Sequence, residues 1–212
     1  MSLLNEISTF LQQGRLPKVK ELVTQAIEEG IAPNEILESG LLAGMSVIGE
    51  KFRNNEVFVP EVLIAARALN GGISILQPYL TAAGVKAKGK AVIGTVKGDL
   101  HDIGKNMVKM MLEGKGLSVV DLGVNVPAET FIDAAIENDV DIICCSALLT
   151  TTMGEMKNII DAAVERGVRE QFKIMIGGAP ITQGYCDLIK ADCYTVDAAS
   201  AADAAAEFCL QN

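Results

Sequence analysis

Apolar residues recur three and four positions apart through the first 80 residues. They run Val19, Leu22, Val23, Ala26 and Ile27 after Pro17, then Ile36, Leu37, Leu41, Leu42, Met45 and Ile48 after Pro33, then Val62, Leu63, Ala66 and Leu69 after Pro60. That spacing puts one apolar stripe on each of several helices, and a proline suits the first turn of each. No alternating, strand-like run interrupts the series. With a short helix before Gly14, the first part of the chain is predicted to be a bundle of about four helices.

Beyond residue 90 the pattern changes to short apolar runs, AVIGTV, LSVVDLG, DIICCSA, FKIMIGG and CYTV, each followed by an amphipathic stretch. Helices are expected from about Ile103, after Pro127, from about Thr152, after Pro180 and over the alanine-rich end. Five strands alternating with helices predict a parallel sheet covered on both faces. Right-handed crossovers allow the doubly wound order 2-1-3-4-5, with the ligand crevice outside the carboxyl ends of strands 1 and 3. The expected fold class is α/β: an N-terminal helical bundle followed by a five-stranded, parallel, doubly wound domain of the Rossmann or flavodoxin-like kind. The expected domains are residues 1–80 and 90–212, joined by a small, polar, basic linker at 81–89 within TAAGVKAKGK.

Composition narrows the partners. The 212 residues are 50% hydrophobic, enough for one large or two modest cores, and a formal charge of −9 with scattered basic residues excludes the stripe a nucleic-acid binder needs. No DNA or RNA partner is expected. The opening MSLLNEISTF has neither the basic nor the apolar region of an export signal. The longest uncharged run, Ala68 to Val85, contains Asn70, Gly71, Gly72, Gln77 and Pro78 and is too polar for a membrane span. The expected location is the cytoplasm, away from any membrane. The five cysteines form no CxxC pair, and Cys144 and Cys145, inside an apolar run, read as inert buried thiols. Neither a disulfide framework nor an iron-sulfur cluster is expected.

Three segments should meet in the predicted crevice: Gly94-Thr95-Val96-Lys97-Gly98-Asp99-Leu100-His101-Asp102-Ile103-Gly104 after strand 1, Ser146-Ala147-Leu148 after strand 3 and Gly177-Gly178 after strand 4. The first supplies a histidine and acids, the second a hydroxyl, and the third glycines that let something large approach the backbone. The first segment is no phosphate-cradling loop, since five residues separate Gly98 from Gly104-Lys105 and Asn106 stands where Ser or Thr is needed. Nor do Gly94, Gly98 and Gly104 have dinucleotide-fingerprint spacing. His101 is the sole histidine, and a lone histidine is ordinarily an unremarkable core or surface residue. Asp99, two positions earlier, changes that weighting: it can accept one ring N–H, fixing the tautomer and improving the other nitrogen as a donor. One histidine does not hold a bare zinc ion, so a metal here must arrive in a macrocycle with its own ligands.

Asp99-x-His101-x-x-Gly104, then 41 residues, Ser146-x-Leu148, then 28 residues and Gly177-Gly178 resembles the signature of cobalamin-binding domains of the methionine synthase and methyl-carrying corrinoid protein type. The likeness extends into the helical half through Glu56-Val57-Phe58-Val59-Pro60-Glu61-Val62, Ala65-Ala66-Arg67 and Gln77-Pro78-Tyr79, which look like the cap domain of those proteins. Chain length is similar to stand-alone corrinoid subunits of the methanol, methylamine and quaternary-amine methyltransferase systems.

The resemblance implies cobalamin as cofactor, cycling between methylcob(III)alamin and cob(I)alamin. It implies that His101 is the lower axial ligand of cobalt, with the cofactor's own base displaced and buried beside Ser146 and Gly177-Gly178. Asp99 is then the partner of His101, and Thr152, six residues after Ser146, completes a hydroxyl-carboxylate-imidazole chain where methionine synthase has a serine. Gly98, Asp102, Ile103, Gly104, Leu148 and Thr150 are expected around the cofactor, and Phe52 and Val59 over its methyl-bearing face. Without the resemblance, Asp99 reads as a solvated loop carboxylate, Thr152 as a helix N-cap, and Phe52 and Val59 as bundle core. The implied partners are a substrate-specific corrinoid methyltransferase, a second methyltransferase delivering to coenzyme M or tetrahydrofolate, and a reductive activating protein. Two other classes share the histidine motif: the small subunit of an adenosylcobalamin mutase, which lacks the helical cap, and a cobalamin-dependent sensor, which needs a signalling or DNA-binding module.

Overall fold

Three of the four prolines of the first 80 residues sit where an absent N–H costs nothing, and the fourth, Pro78, lies inside a helix. In the computed structural model, which describes residues 2–210, the helices are α1 (Leu3–Gln12), α2 (Leu16–Glu28), α3 (Pro33–Glu35), a π-helical stretch (Ile36–Leu42), α4 (Ala43–Arg53) and α5 (Val59–Ala82). Pro17, Pro33 and Pro60 fall in the first turns of α2, α3 and α5, among backbone groups that lack intrahelical partners anyway. The single helix expected after Pro33 is continuous but changes pitch, its π-helical stretch containing Ser39 and Gly40, and Gly40 lies against Ile7. Ile7, Leu11, Leu22, Val23, Leu41, Met45, Ile48, Leu69 and Leu76 are buried together as the bundle core.

By length and composition α5 is apolar enough to cross a membrane. In the fold it is the element the bundle packs around, burying Val62, Ala65, Leu69, Leu76 and Leu80, with Gly72 against Leu41 and Val19. It continues through Ala82, so the chain outside regular structure before β1 is 83–89. The chain divides into two compact units, one holding residues up to 87 together with 114–116, the other holding the rest.

The second unit alternates strictly: β1 (Lys90–Thr95), α6 (Ile103–Gly114), β2 (Ser118–Asp121), α7 (Ala128–Asn138), β3 (Ile142–Ser146), α8 (Gly154–Glu165), β4 (Lys173–Gly177), α9 (Gln183–Ile189), β5 (Cys193–Tyr194) and α10 (Ala198–Leu210). All strand pairs are parallel and the order is β2-β1-β3-β4-β5, the doubly wound arrangement that strand-helix alternation predicts. Strand alternation divides the core: Val92, Ile143, Ile174 and Ile176 pack with Phe131, Met156 and Ile160, while Ile93, Cys144 and Met175 point the other way. Helices α7 and α8 leave and rejoin the sheet in the opposite sense to α6, which right-handed crossovers place on the other face.

Register decides where a site forms. Thr95 pairs with Ser146 and Ser146 with Gly177, so the carboxyl ends of β1, β3 and β4 form one row. Their following loops start side by side. All five cysteines are free, and Cys144 and Cys145 are buried; burial pushes the Cys144 thiol up to about 12, which makes it a poor nucleophile.

Candidate functional site

The loop after β1 is anchored at both ends. Buried Thr95 donates its hydroxyl to the His101 carbonyl at 2.8 Å, and the Asp99 N–H donates to the Val96 carbonyl at 3.1 Å. Gly98, at φ +81°, makes the turn that carries Asp99 inward. The Asp99 carboxylate is fully buried and is met by donors on both oxygens. Oδ1 accepts the His101 backbone N–H at 3.1 Å and lies 2.7 Å from His101 Nδ1. Oδ2 accepts the Leu148 and Leu149 N–H groups at 2.8 and 3.2 Å and the Thr152 hydroxyl at 2.9 Å.

Burial pushes the Asp99 carboxyl upward, but the bonds from His101, Leu148 and Thr152 outweigh it and hold the group well below the usual carboxylate range. Asp99 is therefore an anion that only accepts. Facing it, His101 Nδ1 carries its proton, which leaves Nε2 with the free lone pair. The imidazole is half-exposed, with 53% of its side chain accessible. Thr152, Asp99 and His101 thus form one continuous hydrogen-bonded chain.

Two plain readings of these residues are excluded. Asp99 is no solvated loop carboxylate, and Thr152 does not cap α8: its hydroxyl turns back to Asp99 and to the Leu149 carbonyl, while Met153 holds the cap position without a side-chain bond. Ser146 ends β3, half-buried, and Leu148 and Thr150 follow it exposed. Asp102 accepts from the Asn106 amide at 3.1 Å, and Ile103 and Gly104 begin α6. Phe52, at the end of α4, and Val59, which opens α5, are partly buried within the helical unit.

The two glycines after β4 serve different ends. At Gly178, with φ +134°, a Cβ would sit 1.8 Å from the Ala147 carbonyl oxygen, so what comes close there is the neighbouring loop of the protein itself and not a ligand. At Gly177, and equally at Gly104, a Cβ would meet nothing within 4 Å. Packing does not demand a glycine at either place. Around His101, Leu100 and Ile103 are 71% and 75% exposed, and Leu148 and Leu149 are also uncovered. Such apolar exposure beside a buried anion marks a ligand surface.

A corrinoid suits this donor set. It brings nitrogen ligands of its own, so a single protein nitrogen would complete its hold on the metal, and the exposed Leu100 and Ile103 would offer it apolar surface. Among the described residues no group of three His, Cys, Asp or Glu side chains could hold a bare ion. His101 would supply the axial nitrogen, and the open spaces at Gly104 and Gly177 leave room for a bulky group.

Sequence reasoning missed the polar framework behind the loop. Lys105, on the buried stripe of α6, is 3% exposed and donates to both oxygens of Asp121 at 2.6 and 2.7 Å and to Asn106 at 2.7 Å. Asp121 ends β2, also accepts the Gly123 N–H at 2.9 Å, and has Lys109 at 3.4 Å. Tyr185 donates its hydroxyl to the Met153 carbonyl at 2.6 Å, pinning the turn that carries Thr152. A charge on the apolar stripe of α6, with Val108 and Leu112, was the available signal for Lys105.

The pair gives a pH prediction. Burial raises the Asp121 carboxyl, but the Lys105 bond, the Gly123 N–H and the charges of Lys105 and Lys109 hold it below its ordinary 3.8. Its stabilising contribution is complete above that value and is lost as pH falls through the lower folded value. Asp121→Asn, which takes the counter-charge from the buried Lys105 ammonium and leaves it only amide oxygens, should cost on the order of 2 kcal/mol at pH 7. The gap in Tm between the two proteins should then close as pH falls below about 4; an equal gap at pH 7 and pH 3 would count against it.

Both parts of the chain match known families. Residues 89–208 match the B12 binding domain, and residues 3–77 match a second B12 binding domain family. The chain is 42% identical over 208 residues to dimethylamine corrinoid protein 3 of Methanosarcina acetivorans, covering 98% of this chain and 97% of that protein. It is 44% identical over 177 residues to the trimethylamine corrinoid protein of Methanosarcina barkeri, covering 82% of each. Its fold matches a chain of the methanol:cobalamin methyltransferase complex of Methanosarcina barkeri with a TM-score of 0.90 and 31% identity, covering 99% of this chain and 80% of that one. With both of its parts matched and these two relatives covered over 97% and 82% of their lengths, the chain belongs to the B12-binding corrinoid protein family.

Proposed function

We propose that this chain carries a methyl group between two methyltransferases on a corrinoid whose cobalt is held by His101. The observation that carries the reading is the unbroken Thr152–Asp99–His101 chain, found in a protein whose relatives are di- and trimethylamine corrinoid proteins. When bound, the cofactor supplies a cobalt able to take and give up a methyl group.

The residues of the chain do the rest. His101 presents Nε2 while Asp99 keeps the proton on Nδ1, and the carboxylate makes the imidazole a stronger donor. Thr152 and the two amides at Leu148 and Leu149 keep that carboxylate ionised, so His101 can be held or released without Asp99 itself taking up a proton. Gly98, Asp102, Ile103, Gly104, Ser146, Leu148, Thr150 and Gly177 are the proposed lining, and Gly178 serves it by letting the loops after β3 and β4 pack together. Phe52 and Val59 are the proposed cover for the methyl-bearing face, and 83–89 is the connection that lets cover and cofactor part. The proposed partners are a substrate-specific methyltransferase, a second enzyme delivering to coenzyme M or tetrahydrofolate, and a reductive activating protein, all in the cytoplasm.

The test uses reduced, cobalamin-loaded protein mixed in turn with methanol, dimethylamine and trimethylamine methyltransferases and their isotopically labelled donors. Label should appear on the protein-bound cofactor with one pair and leave when a thiol-methylating enzyme is added. No label with any pair would overturn the proposal.

A further inference from the structure

Asn125 lies on the loop between β2 and α7, outside every residue group assigned so far, and it is bonded to both sides of Asp99. Its Oδ1 accepts the Gly98 N–H at 2.7 Å, and its backbone N–H donates to the Asp99 carbonyl at 2.9 Å. It does so at φ +56°, a left-handed conformation that asparagine tolerates better than most side chains. Below it, the Thr95 N–H donates to the Gly123 carbonyl, the Val126 N–H donates to the Thr95 carbonyl, and Val96 bridges Val126. The ladder between β1 and this loop therefore continues past the strand ends and terminates on the turn containing Asp99.

The consequence is mechanical. Asp99 orients His101 only if the turn at 98–99 cannot rotate, and Asn125 is the side chain that fixes that turn from outside the loop. We propose that Asn125 is a positioning residue that sets the angle at which His101 presents Nε2. This rests on His101 being the axial ligand. The hydrogen bonds of Asn125 go to Gly98 and to the Asp99 backbone, so it acts through those two residues.

Two substitutions separate the side chain from the backbone conformation. Asn125→Gly keeps the left-handed backbone available and removes the acceptor for Gly98, whereas Asn125→Asp restores an acceptor. The readout is the fraction of cobalamin in the Co(II) state with a histidine nitrogen on cobalt, read from nitrogen hyperfine splitting. Asn125→Gly should lower the ratio of histidine-bound to histidine-free cofactor about ten-fold while cofactor is still retained, and Asn125→Asp should restore it. An unchanged ratio in Asn125→Gly, or equal impairment in Asn125→Asp, would overturn the role.

His101→Ala, run alongside, separates the two claims. A splitting lost in His101→Ala but intact in Asn125→Gly sinks the positioning role alone; a splitting indifferent to both sinks the ligand assignment and the role with it. A cofactor-free measurement covers variants that fold poorly. In the unaltered apoprotein the Gly98 amide should exchange its hydrogen far more slowly than the amide of exposed Lys97, and exchange at the same rate would overturn the proposal.

Discussion

Asp99→Asn is expected to destabilise the cofactor-free α/β unit by on the order of 4 kcal/mol, although the two side chains have the same shape. All five groups that meet the carboxylate approach as donors: the His101 N–H and Nδ1–H on one oxygen, the Leu148 and Leu149 N–H groups and the Thr152 hydroxyl on the other. An amide places its NH2 against donors whichever way it is turned, leaving two or three of those donors without the acceptor they now have. Each such loss costs about 1–3 kcal/mol. Thr152→Val removes one donor and leaves the carboxylate four others, so it should cost only about 1 kcal/mol. Calorimetry of the apoproteins checks this. A loss below about 1 kcal/mol in Asp99→Asn would mean that the carboxylate is not held as described.

Gly178→Ala should be worse still. A Cβ at 1.8 Å from the Ala147 oxygen and 2.8 Å from its carbonyl carbon has nowhere to go, because both contacts are backbone, and the φ of +134° is one that L residues rarely adopt. The loops after β3 and β4 would have to separate, which breaks the Ile181 N–H bond to the Gly178 carbonyl and disturbs the segment that delivers Leu148 to Asp99. The expected cost exceeds about 4 kcal/mol, in the range reserved for single changes with a specific steric cause. Gly177→Ala is the control, since its Cβ meets open space. That variant should unfold within about 1 kcal/mol of the parent and yet bind cobalamin less well. Equal stability in the two variants would contradict the account of Gly178, and unimpaired cobalamin binding by Gly177→Ala would contradict that of Gly177.

Periodicity carried the fold because each element here has a local cause. Prolines open α2, α3 and α5, apolar spacing builds the bundle, and the strand-helix alternation with one handedness of crossover leaves few sheet orders. His101 and Asp99 were legible because they stand two residues apart in one loop. The partners on the other oxygen of Asp99 were not: Leu148 and Leu149 contribute backbone N–H groups, which no residue type announces, from 49 and 50 positions away. The role of Thr152 came only with the resemblance, since a threonine before a helix ordinarily reads as a cap. Lys105 and Asp121 escaped notice because an ion pair in which only the lysine is buried looks, in sequence, much like two surface charges. Gly177 and Gly178 are adjacent and identical in type, and only the position of Ala147 tells a packing requirement from an open space.

The central claim is that His101 binds cobalt, and the composition of the chain allows a direct test. Because His101 is the sole histidine, growth on histidine labelled with nitrogen-15 in the ring places the isotope at one imidazole. After reconstitution with unlabelled cobalamin and reduction to Co(II), the electron paramagnetic resonance spectrum reports the axial nitrogen through its hyperfine splitting. Histidine on cobalt predicts that the triplets given by ordinary nitrogen become doublets in the labelled protein. Triplets that persist after labelling would show the cofactor's own base on cobalt and contradict the account.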